Sequence, residues 1–60
     1  MKVIRYRLVF RDGSYTPWHP EKEKEELEDS AKFFRADIEV CEIDTSSGRI
    51  SNIRLYKRGH

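Results

Sequence analysis

Residues 20–34 read PEKEKEELEDSAKFF, and the way this stretch folds decides how the rest of the chain can be arranged. Leu27, Ala31 and Phe34 fall at i, i+4 and i+7, so a helix from about Pro20 to Phe34 gathers them into one narrow apolar stripe. Pro20 suits the first helical position, and Glu21, Glu23 and Glu25 sit where the positive helix end favours acids. Lys22 with Glu26, Lys24 with Glu28, and Glu28 with Lys32 form i,i+4 pairs on the wet side. The first half of the helix is almost wholly polar, so it needs another surface to hold it, with the Lys24 stem widening the contact.

That surface is predicted on both sides of the helix. Upstream, Ile4, Tyr6, Leu8 and Phe10 alternate with Val3, Arg5, Arg7 and Val9, the periodicity of a strand with its inner face on the even residues. Asp12-Gly13 comes next and turns a hairpin into a second strand through Ser14, Tyr15 and Thr16. Pro17 lacks a backbone donor, so this strand should be short and lie at a sheet edge. Downstream, Ile38 and Val40 alternate with Asp37, Glu39 and Cys41, and Ile43 continues a third strand. Residues 44–48, DTSSG, are dense in turn formers, and Ile50, Ile53, Leu55 and Tyr56 supply a fourth. Ile50 and Ile53 are three apart, which strict alternation cannot place on one face, so a bulge near Ser51-Asn52 is expected.

The fold class is therefore α+β in the order ββαββ, one helix packed on a four-stranded, mostly antiparallel sheet. Charge orders the strands. Residues 1–20, 21–48 and 49–60 carry net +3, −6 and +4, within a total of +1. Arg5 and Arg7 of the first strand should attract Asp37 and Glu39 of the third and repel Arg54 of the fourth, at up to about 1 kcal/mol per cross-strand pair. The order 2-1-3-4 is preferred, with 2-1-4-3 as the alternative. The expected helix lies on a greasy side of the sheet, and the opposite side is expected to be wet and charge-balanced.

Sixty residues leave room for one core, and a chain this short buries only about 60% of its unfolded surface. Such domains usually gain stability from disulfides, a metal or a partner chain. Cys41 is the only cysteine, which excludes an intrachain disulfide, and the other zinc-type ligands, His19 and His60, lie far from it in sequence. Neither a metal nor a cofactor is implied, and self-association into a homodimer is the remaining route. High Lys, Arg and Glu content, no Gln and a single asparagine, Asn52, give a thermophile-like composition. No apolar run reaches membrane-helix length and no signal-like start is seen, so the expectation is a cytoplasmic protein with no membrane contact.

Two groups of residues carry functional expectations. Tyr15, Trp18 and His19 flank two prolines in an aromatic corner that suits protein binding, because Trp and Tyr anchor interfaces and a stiff corner loses little entropy. Trp18 is also, and in the first place, expected to cap the core below the helix start, since a small domain buries its largest apolar side chain. Arg5, Arg7, Arg54, Tyr56, Lys57 and Arg58 combine cations with an aromatic, as a nucleic-acid-binding sheet does, although near-neutral charge gives no long-range attraction. No glycine-rich phosphate loop, nucleophile–base set or small-molecule substrate site is evident. Glu39 and Glu42 flank Cys41 and disfavour its thiolate. The expectation is a non-catalytic interaction module that binds a protein or itself, with nucleic-acid binding on the outer sheet face as the alternative.

Overall fold

The computed structural model describes residues 1–59; His60, one of the zinc-type ligands, lies outside the described residues. Strand β1 spans Lys2–Val9, β2 is the pair His19–Pro20, helix α1 runs Lys24–Phe34, β3 spans Asp37–Asp44 and β4 spans Ile50–Lys57. All neighbours are antiparallel and the order is β2-β1-β3-β4, as the charge argument preferred.

Two element boundaries differ from expectation, both because of proline. The ladder beside β1 opens with a single Val9–Tyr15 bridge and a Thr16 amide donating to the Leu8 carbonyl, and resumes only at His19–Pro20. Pro17 offers no N–H to continue the ladder, and the Leu8 amide donates to the Thr16 hydroxyl at 3.0 Å in place of a backbone carbonyl. Pro20 is held extended (ψ 159°) by its pairing with Arg5, so the chain enters through a 3-10 turn at Glu21–Glu23 before α1 begins at Lys24. Neither start carries a side-chain cap. At the other end Arg35 takes a left-handed conformation (φ 55°) and the Ala36 amide closes on the Ala31 carbonyl at 2.9 Å.

Tyr6 and Leu8 of β1, Leu27 and Ala31 of α1, and Ala36, Ile38 and Val40 form the core, flanked by Ile4 and Phe10. Phe34, the third member of the expected stripe, is 55% exposed and instead lies edge-on to Phe10, with centroids 5.8 Å apart. Lys24 extends the stripe as predicted, its ammonium lying over Tyr6 and Tyr56 at 6.0 and 5.5 Å. Its pKa is raised, first by hydrogen bonding to the Tyr56 hydroxyl.

Both loops are built by aspartates. Asp12 accepts the Ser14 amide and hydroxyl, and Asp44 accepts those of Ser46 in the same geometry. Gly13 supplies φ +92° at the first turn, which a side chain would strain. Gly59 is restricted for a different reason: its backbone rests so close to Ala36 that a Cβ would lie 1.8 Å from the carbonyl oxygen. The Gly59 amide donates to Asp37 at 2.8 Å, which fastens the end of the described chain beside β3.

Candidate protein-interaction surface

Residues directly opposite one another in an antiparallel ladder share a face, so the register assigns every strand residue to the helix side or the outer side. Pairing of Tyr6 with Val40 and Leu8 with Ile38 marks the helix side. Val3 with Ile43, Arg5 with Cys41, Arg7 with Glu39 and Val9 with Asp37 mark the outer side. On β4, Ile50 lies opposite Ile43 and Leu55 opposite Glu39, both outward, whereas Arg54 lies opposite Val40 and points to the helix side.

The register slips between Val40 and Glu42, where Ser51 pairs with Glu42 and Arg54 with Val40. Asn52 sits in this bulge with φ 54°, and its amide donates to the Glu42 carboxylate. One extra residue shifts the parity from Ile53 to Leu55, so Ile53 joins Ile50 and Leu55 on the outer face, and a second slip between Glu39 and Ile38 returns Lys57 to the helix side. The expected bulge is present, but its aliphatic row faces away from the core. The side opposite the helix is therefore not simply wet and charged: Ile50, Ile53 and Leu55 keep 43%, 51% and 48% of their surface exposed. The single helix explains why: α1 packs on β1 and β3 from the other side of the sheet, and among the described residues no second layer lies over this face.

Across the same outer face the aromatic corner is built around Arg7. Its guanidinium carbon lies 4.2 Å from the Tyr15 ring centre and 4.3 Å from that of Trp18. Nε and Nη2 donate to one oxygen of Glu39 at 2.9 and 2.8 Å, an ion pair that realises the expected attraction between the first and third strands. Trp18 thus stacks on an outer-face arginine and does not cap the core. Cys41 lies between these flanks on the same face yet has no exposed surface; burial pushes its thiol pKa up, against the nearby Arg7 and Arg5.

The predicted sets divide between the two faces. Tyr15 and Trp18 are together on the outer face, but His19 pairs with Tyr6 and so turns to the helix side. There its Nδ1 meets Glu23 at 2.9 Å in an open groove of about 240 Å³ above Leu8 and Leu27. Among the cationic set, Arg5 and Arg7 face outward. Arg54 does not accompany them, because the bulge reverses its side, and Tyr56 lies edge-on to Tyr6 at 5.2 Å on the helix side. Lys57 and Arg58 line a small cavity of about 80 Å³ beside Ala31 and Ala36. Cations and aromatics expected on one nucleic-acid-binding face are thus split between two. Sequence reasoning did not include Ile50, Ile53 and Leu55 in the site, although the three-residue spacing that forces the bulge was the signal that could have found them.

The fold and this face together define a two-layer α+β domain with one side of its sheet uncovered. Neither a protein-family model, nor a curated protein, nor a solved structure matches the chain. Among the described residues no helix is long and apolar enough to cross a membrane, and no group of three or more His, Cys, Asp or Glu side chains could hold a metal ion.

Proposed function

We propose that the chain is a small non-catalytic interaction module whose contact surface is the outer face of its sheet. The observation that carries this is the aliphatic row of Ile50, Ile53 and Leu55, exposed side by side on a face whose central arginine is already neutralised by Glu39. A row of apolar groups on the same face as an aromatic corner has the composition of an interface centre: aliphatic and aromatic area, and few unsatisfied charges. Tyr15, 62% exposed, supplies the rim of that surface, and Trp18 holds Arg7 flat beneath it. A cytoplasmic setting suits the single buried thiol, because reducing conditions leave it free.

A photo-crosslinking amino acid placed at Ile53 in the producing cells tests the reading. Protein adducts are expected at Ile53 and not at Asp29 on the helix; absence at both, or equal yield, would contradict it. Nucleic-acid binding is the less supported alternative. Its charge-reversal test is replacement of Arg5, Arg7 and Arg54 by Glu, which would abolish salt-dependent binding of short DNA and RNA. That reading fails where the unsubstituted chain shows no such binding by fluorescence anisotropy.

A further inference from the structure

We propose that the occupant of the outer face is a second copy of this chain, packed face to face about a two-fold axis close to Ile53. The inference rests on the proposed interaction role of that face and names its partner.

Three observations select a second copy. The first is area. The molecule measures 34 × 22 × 15 Å along its principal axes, so its broad face is on the order of 700 Å², close to the roughly 800 Å² per partner of a standard stable interface. The whole face is then the size of one such contact. The second is charge. Arg5 and Arg7 on this face are balanced by Asp37 and Glu39, so two identical faces approach without net repulsion. A strongly acidic or basic partner finds no complementary field here, whereas an equally neutral apolar surface does.

The third is that both sheet edges carry features that disfavour strand addition. β4 is interrupted by register slips on either side of Glu39–Val40 and carries Arg54 and Lys57, while β2 is two residues long and ends in Pro20. Such edges resist edge-to-edge pairing, which favours association through a face. In a two-fold contact the same patch meets itself. Ile53, the middle of the aliphatic row, then meets its own copy, and Ile50 meets Leu55 of the other chain. Sheets packed this way sit about 10 Å apart with their strands within about 30° of each other.

Sedimentation velocity of the full chain across the micromolar range tests this, beside the variants Ile53→Asp and Phe33→Ser. The chain is expected to sediment at twice its 7.2 kDa mass. Ile53→Asp should weaken self-association at least about a hundredfold with an unchanged circular dichroism spectrum, as loss of a central anchor does. Phe33→Ser, at the far end of the helix, should leave the dimer intact. If Ile53→Asp does not fold, Ile53→Cys replaces it: oxidation should link two copies covalently, and Asp29→Cys should not. A single-chain mass at the highest concentration overturns the proposal. So does a dimer that Phe33→Ser abolishes and Ile53→Asp spares. A single-chain mass together with an Ile53 photo-adduct to a different protein removes the second copy but keeps the interaction face. Absence of any Ile53 adduct removes both.

Discussion

Leu8 and Ile38 on one face of the sheet retain 3% and 1% of their exposed surface, whereas Ile53 and Leu55 on the other retain about half of theirs. All four are aliphatic strand residues, so residue type does not separate them. Position relative to one helix does. A chain this short has a single helix to spend, and it shields β1 and β3 from one side only. The apolar groups on the opposite side stay in water until something else covers them. Stability is concentrated on the first face, and the second is free to act as a contact surface.

A pair of substitutions separates the two faces most strongly. Ile38→Ala is expected to cost about 2–5 kcal/mol, a large share of what a domain of this size has, and to abolish cooperative urea unfolding. Ile53→Asp should change the stability of the single chain by no more than about 0.5 kcal/mol, as surface substitutions do. Comparable losses from both, measured under monomeric conditions, would mean that the two faces share one core.

The covered face has a second seam, where Gly59 lies against Ala36. Gly59→Ala should cost about 1–3 kcal/mol if the seam holds, because the added methyl meets backbone. Urea midpoints measure it, and a neutral result would mean that the segment detaches without consequence for the core. Asn52 decides which way β4 turns its aliphatic row. Asn52→Val should cost about 1–2 kcal/mol through the left-handed backbone, while Asn52→Gly should stay within a few tenths apart from the lost Glu42 hydrogen bond. Equal effects would argue against the bulge.

The smallest effect belongs to the turns. Asp12 and Asp44 both have pKa values held below the ordinary 3.8, first by the hydroxyls of Ser14 and Ser46 and then by their amides. A depressed folded value means that their contribution is present above the unfolded pKa and is lost as pH falls through the folded one. Acidification below 3.8 should therefore loosen both turns, seen as shifts of the Ser14 and Ser46 amide resonances, with the core resonances changing only later. Simultaneous loss of turns and core would contradict the assignment of these carboxylates to local roles.

Much of this contrast was legible in the residues. The alternation of β1 set its inner face, Leu27 and Ala31 set the buried side of the helix, and Asp12-Gly13 and the DTSSG run set the turns. The strand order came from charge, and the Arg7–Glu39 pair realises that attraction. Arg54, by contrast, points to the helix side and does not repel Arg5 and Arg7 across the outer face as expected. A bulge is readable from Ile50 and Ile53, but the spacing alone does not say which face receives the row. That depends on where Asn52 places the register slip against β3, which is set by the strand pairing. Phe34 departs from the stripe because it packs edge-on against Phe10 at the flank of the core and keeps 55% of its surface exposed. The site was only partly legible. Tyr15 and Trp18 were named from composition, but their shared contact with Arg7 depends on where Pro17 interrupts the ladder.

Methyl-to-methyl nuclear Overhauser contacts of Ile50, Ile53 and Leu55 report which side of the sheet the aliphatic row occupies. Contacts to Ile43 and Val3, with none to Leu27 or Ala31, are predicted. Contacts from Ile53 or Leu55 to Leu27 or Ala31 would instead place the row in the core, with no apolar outer face left to act as a contact surface.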